Sequence, residues 1–124
     1  MRANFALALP FALFGCGPGE DQETAAVMNG IERRVQLPAG AQPVDSYARY
    51  YAMDYTGRVI AEYTTHVDWS NRQADLPIGH RRWLHDYGML PGISGGGCRV
   101  VNIVYLPKEH RVASAVCNGT ALRS

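Results

Sequence analysis

The stretch CRVVNIVYLPKEHRVASAVC, from Cys98 to Cys117, says most about how this 124-residue chain folds. Two runs rich in β-branched and aromatic residues, Arg99 to Leu106 and Arg111 to Val116, flank Pro107-Lys108, where proline presets the φ of a turn. The pattern predicts a hairpin. If Leu106 pairs with Glu109, Cys98 falls directly opposite Cys117 and the two can be bridged. On that register Val101, Ile103 and Tyr105 share a face with Val112, Ser114 and Val116. Val100, Val104 and Leu106 share the other with Ala113, Ala115 and the disulfide. Both faces are apolar, as expected of a central pair of strands covered on each side. The cross-link closes a short loop, and by constraining the unfolded chain it contributes about 3 kcal/mol.

Upstream, Ser46 to Thr65 reads as a second hairpin, turning at Asp54-Tyr55-Thr56-Gly57 with Asp and Gly where a type I turn prefers them. Pairing Asp54 with Gly57 sets Ala52 opposite Val59, Tyr50 opposite Ala61 and Ala48 opposite Tyr63, an apolar set expected to face the core. Tyr47, Arg49, Tyr51, Arg58 and Glu62 then form a mixed, partly wet face. Between the hairpins, Pro77 to Tyr87 has helical features: Trp83, Leu84 and Tyr87 make one stripe, Arg82 and Asp86 stand one turn apart, Gly88 suits the residue after the end, and Pro91 follows. Nearer the start, Val27, Ile31 and Val35 at four-residue spacing predict a short amphipathic helix over 24–35, with Gly30 as its weak point. The fold class is therefore α+β: a small antiparallel sheet of about four strands in two hairpins, one or two short helices, and one disulfide.

Composition agrees with a single folded domain. The chain is 47% hydrophobic and 19% charged, outside the range of disordered sequences. Twelve Lys plus Arg stand against eleven Asp plus Glu. The adjacent basic pairs, Arg33-Arg34 and Arg81-Arg82, each have acids nearby, so nucleic acid is not expected as a partner.

The amino terminus has one basic residue, Arg2, an apolar run from Phe5 to Phe14, and then Leu13-Phe14-Gly15-Cys16. The run is far shorter than the ~20 residues of a membrane-spanning helix and reads as an export signal. Leu13-Phe14-Gly15-Cys16 resembles the lipobox of bacterial lipoproteins, from which it departs at Phe14, where a smaller side chain is usual. The resemblance covers residues 1–16. It implies a signal peptide over 1–15, a lipid-modified (palmitate-bearing) Cys16, and, with Gly17 in place of Asp, the periplasmic face of the outer membrane. Residues 16–23, rich in Gly, Pro and acids, read as a tether, and 24–124 as the domain. With Cys16 used by the anchor, Cys98 and Cys117 are left as an even pair, suited to an oxidising compartment.

Motifs of chemistry are sparse. Gly92-Ile93-Ser94-Gly95-Gly96 matches the G-x-S-x-G of a nucleophile elbow, but that elbow needs a strand before the serine and a helix after it, in a longer chain. A Gly-rich loop is the expectation, with no catalytic residue assigned. His66, His80, His85 and His110 are poorly spaced for a shared ion; His80 and His85 would lie about 140° apart on a helix. No metal and no cofactor are expected. Glu109-His110 reads as a turn in water, Asp68, Asp75 and Asp86 carry no selecting pattern, and Asn118-Gly119-Thr120 is a chance sequon. The row Tyr47, Arg49, Tyr51 combines residue types enriched at interfaces and is the candidate partner-binding patch. The expected function is an envelope-anchored module, held to the membrane by its lipid, that binds or helps assemble a protein or cell-wall partner. The alternatives are a small periplasmic hydrolase using Asp and His groups near the 66–97 loop, and a purely structural surface protein.

Overall fold

A computed structural model describes residues 20–119; the expected signal peptide over 1–15 and Cys16 lie outside the described residues. The order is helix α1 (Gln22–Arg34), strands β1 (Ala48–Met53), β2 (Val59–Thr64), β3 (Arg81–Trp83), β4 (Val100–Leu106) and β5 (Arg111–Cys117), with four single turns of 3-10 helix between them. The class is α+β, with one helix and a five-stranded sheet rather than four strands. Strand order is β3-β1-β2-β4-β5, mixed because β3 runs parallel to β1.

Helix α1 starts earlier than its apolar spacing suggests. Asp21 caps it by accepting from the Thr24 amide at 3.2 Å, satisfying one of the free donors of the first turn. The last part of the expected tether is thus built into the domain. Glu20, just before the cap, pairs with Arg81 at 2.6 and 2.8 Å.

The first hairpin turns where expected, but one residue wider. Asp54 pairs with Arg58, not Gly57: the Asp54 amide donates to the Arg58 carbonyl, and Gly57 takes φ 93°, the left-handed residue of a type I turn plus bulge. The Asp54 carboxylate holds the turn, accepting from the Thr56 and Arg58 amides, the Thr56 hydroxyl and the Arg58 guanidinium. These bonds hold its pKa down at about 2. The extra residue sets Tyr51 opposite Ala61 and Arg49 opposite Tyr63. A slip of one residue exchanges faces. The expected wet row of β1 becomes the main core.

That core lies under α1. Met28 and Ile31 pack on Tyr47, Tyr51, Val59, Ala61, Tyr63, Val101, Ile103 and Tyr105. On the other face Ala48, Tyr50, Ala52, Leu76 and Leu84 form a smaller core, closed by the segment between β2 and β4. The Tyr50 hydroxyl accepts from the Leu76 amide at 3.0 Å.

The helix expected over 77–87 is absent. Residues 81–83 add as a strand to the free edge of β1, and Arg82 pairs with Asp75 in place of Asp86. The stripe is divided by the two-residue period of a strand: Trp83 packs on the helix side and Leu84 on the other. A strand serves here because β1 offers unpaired backbone groups that a helix cannot satisfy.

The disulfide Cys98–Cys117 is present, with a Cα separation of 4.5 Å, but on a different register. Pro107–Glu109 form a full 3-10 turn and His110 turns left-handed at φ 50°, so Leu106 pairs with Arg111. A bulge between Val104 and Tyr105 follows, Cys117 pairs with Val101, and Cys98 bridges from a 3-10 turn before β4. Of the expected central pair only β4 is interior. Strand β5 is an edge, with Val116 54% exposed.

Candidate functional site

Under α1 lies a polar network that the sequence does not announce. Glu32 accepts from Arg49 Nε at 3.1 Å, from Arg81 Nη1 at 3.1 Å, and from the Tyr51 hydroxyl, which also contacts the Tyr63 hydroxyl at 2.8 Å. Burial, reinforced by Tyr63 and Glu32, pushes the Tyr51 hydroxyl far up, so it stays protonated and donates. Burial likewise raises Tyr63. The hydrogen bond to Glu20 raises Arg81 and lowers Glu20 in return. Tyr47 takes the Gln42 amide and donates to the Cys98 carbonyl at 2.7 Å, fastening the loop after α1 to the disulfide. Tyr47, Arg49 and Tyr51, the expected partner-binding row, are therefore 0%, 6% and 0% exposed and offer no surface to a partner. The interface signal in their composition comes instead from a core that buries hydroxyls and one guanidinium, each with its partner.

Concave sites do reach the surface among the described residues, and two of them bring candidate side chains together. The first is a cleft of about 670 Å³ where β2 ends and β4 begins, lined by Thr64, Thr65, His66, Ile93, Ser94 and Arg99 among others. Its glycine-rich wall is pinned from beneath. The buried Glu62 carboxylate accepts from the Gly92 and Ile93 amides at 2.8 and 2.9 Å. The Asn118 side chain donates to the Ile93 and Gly95 carbonyls and is held by Asn102. Ser94 and His66 thus share one cleft, but no hydrogen bond joins their side chains among the described residues, and Asp68, His85 and Asp86 are not in its lining. Asp68 instead accepts from the Ser70 hydroxyl and amide, which lower its pKa.

The second site lies between the C-terminal end of α1 and the β4–β5 turn. Two adjoining concavities, about 470 and 260 Å³, share Arg34 and His110; the first adds Gln36 and Arg111, the second Arg33. Its charge is unbalanced. Arg49, Arg58, Arg81 and Arg82 are all ion-paired elsewhere. Around this groove Arg33, Arg34 and Lys108 have no ion pair among the described residues, and Arg111 shares Glu109 at 2.9 Å. The adjacent pair Arg33-Arg34 looks neutralised in sequence because Glu32 precedes it, yet Glu32 turns inward to Arg49 and Arg81.

Among the described residues, no three His, Cys, Asp or Glu side chains are grouped to hold a metal ion. Compared with protein-family models, curated proteins and solved structures, the chain finds no match in any of the three.

Proposed function

We propose that this chain is an envelope-anchored binding module, tied to a membrane through a lipid on Cys16, that meets its partner at the basic groove between α1 and the β4–β5 turn. The observation that carries the reading is the sorting of charge: acids are used within the fold at the β1–β3 side, and cations collect at the far end of α1. A concentrated patch of one sign raises encounter rates with oppositely charged partners even when net charge is near zero. The geometry of an anchor at Cys16 suits this. Four peptide links to Glu20 span at most about 14 Å, whereas the helix carries the groove about 20 Å further along its axis.

The test is to express the chain in a Gram-negative host with a photo-crosslinking side chain at Gln36, on the groove rim, or at Thr56, at the tip of the first hairpin, each with and without Cys16→Ser. Acyl mass on Cys16, loss of membrane partitioning in Cys16→Ser, and one envelope adduct at Gln36 but not Thr56 are expected. Equal adducts at both positions, or none, sink the partner-binding reading; an unmodified Cys16 sinks the anchor.

A second reading, a small hydrolase, is favoured by one observation, the meeting of Ser94 and His66 in the first cleft. Turnover of simple esters that disappears in Ser94→Ala but survives Arg34→Gln would select it.

A further inference from the structure

We infer that the basic groove is a phosphate-binding site in which Arg34, His110 and Arg111 take the phosphate oxygens. This rests on the reading that the groove is where the module meets its partner, and it adds the chemistry being recognised. Three features of the groove bear on it.

The first is the way Arg34 is set. Its Nη1 donates back to the Gly30 carbonyl at 3.1 Å, one turn earlier. Gly30 is buried in the middle of α1, where glycine is an unfavourable helix residue. The structure supplies its reason: a Cβ there would stand 3.2 Å from Arg34 Nη1 and 3.5 Å from the Tyr105 hydroxyl. The helix gives up intrinsic stability at Gly30, and in exchange the guanidinium lies down against its own backbone, its remaining N–H groups without a hydrogen-bond partner among the described residues.

The second is His110. It is the one non-glycine residue at positive φ among the described residues, at φ 50° and ψ 46°. Glycine would hold this left-handed turn position with less strain. An imidazole kept at such a position, lining both concavities, is in keeping with a site that uses the side chain.

The third is the donor set. Guanidinium forks from Arg34 and Arg111, an imidazole, and the Gln36 amide line one concavity of about 470 Å³. No acid is in that lining among the described residues, and Glu109, which pairs with Arg111, engages it through one carboxylate oxygen. Several converging N–H donors with surplus positive charge suit a tetrahedral oxyanion, which presents three oxygens in different directions, better than a planar carboxylate. The phosphate can belong to a soluble ester or to a lipid headgroup, and the same groove serves both.

The experiment uses the full chain carrying Cys16→Ser, so that a lipid does not dominate partitioning. Inorganic phosphate is titrated at constant ionic strength while amide shifts are followed, with acetate titrated in parallel. Saturable shifts confined to Gly30, Arg34, Gln36, His110 and Arg111, with acetate weaker, are expected. Arg34→Gln should weaken phosphate by about tenfold, as expected for loss of a charged hydrogen-bond donor. Two further variants separate binding from folding. Gly30→Ala pushes the flexible end of Arg34 aside, and His110→Gly relieves the turn, so both should weaken phosphate while the melting temperature stays level or rises. A vesicle arm distinguishes the sources: Arg34-dependent sedimentation with phosphatidylglycerol vesicles, but not with phosphatidylcholine alone, assigns a headgroup, and phosphate binding without sedimentation assigns a soluble ester. Unchanged phosphate affinity in Arg34→Gln, shifts centred on Arg72 or Arg99, or acetate binding as well as phosphate overturns the inference. If Gln36 adducts persist in that case, the partner-binding reading stands without it.

Discussion

On its inward face α1 meets β1 and β3 through Glu32, joined by Glu20 just before the cap, and the two acids between them engage Arg49, Arg81 and Tyr51. On its outward face Arg33 and Arg34 share concavities with His110 and Arg111 that no acid lines among the described residues, Glu109 being paired with Arg111 beside them. The inward face has taken Arg49 and Arg81 largely out of water and paired each with an acid. The outward face keeps Arg33 and Arg34 wet and, among the described residues, without an ion pair. Desolvated charge is costly without a partner, so the first arrangement is required by the fold, whereas solvated cations cost the fold little and are available for a ligand. A helix C-terminus also welcomes cations, which lets Arg33 and Arg34 gather there without destabilising α1.

The comparison breaks most sharply at Glu32. Glu32→Leu leaves the buried Arg49 side chain with only the Val44 and Tyr47 carbonyls and a 3.8 Å pairing to exposed Asp45, and leaves Arg81 with Glu20 alone. Removing one partner of a buried pair costs about 3–5 kcal/mol, and urea unfolding should show a loss of that order. A loss under about 1 kcal/mol would mean that water reaches the network. Next is the sulfur bridge. Cys98→Ser with Cys117→Ser should lower stability by about 3 kcal/mol, because β5 has an open edge and little burial of its own. Equal melting temperatures with and without reductant would refute this. Tyr51→Phe removes one donor to Glu32 and a contact with Tyr63, and should cost about 1–2 kcal/mol in the same urea experiment.

Asp54 adds a pH dependence. Its folded pKa of about 2 lies below the ~3.9 of an unfolded aspartate, so its contribution is complete above pH ~4 and disappears as pH falls toward 2. Asp54→Asn should therefore be less stable than the unsubstituted chain at pH 6, with the gap closing as the two are titrated from pH 4 to pH 2. A gap that stays constant over that range would show that the turn is held by other bonds. The smallest effect is expected at the wet end: Arg33→Gln should change unfolding free energy by less than about 0.5 kcal/mol. A larger loss would show that the cations there are structural after all.

How much of this was legible in the sequence differs element by element. The α+β class, the helix near Val27 and Ile31, both hairpin turns and the pairing of Cys98 with Cys117 all follow from local signals. Turn residues and apolar spacing act within a few residues of chain, and the even count left by Cys16 admits one bridge across the second hairpin. Registers were not legible. Asp54-Tyr55-Thr56-Gly57 is compatible with a pairing at Gly57 or at Arg58, and the choice of the wider turn moved Tyr47, Arg49 and Tyr51 from surface to core. The basic groove was hidden for a similar reason: Arg33-Arg34 stands beside Glu32 in sequence, and only packing reveals that Glu32 belongs to Arg49 and Arg81. One signal could have pointed to it. Gly30, placed four residues before Arg34 in a helix, is an oddity that asks for a close contact.

Local chemistry along the chain sets the inventory: a short amphipathic helix, two turns that reverse the chain, two cysteines to be joined, and a near balance of charges. Long-range packing sets the rest: which side of each strand is inside, that residues 81–83 extend the sheet instead of coiling, and which charges neutralise one another. The physical reason is the short period of a strand. Successive side chains point to opposite faces, so a change of one residue in a turn, worth little locally, exchanges two whole faces, and only the burial of Tyr51 and Tyr63 beneath α1 selects between them.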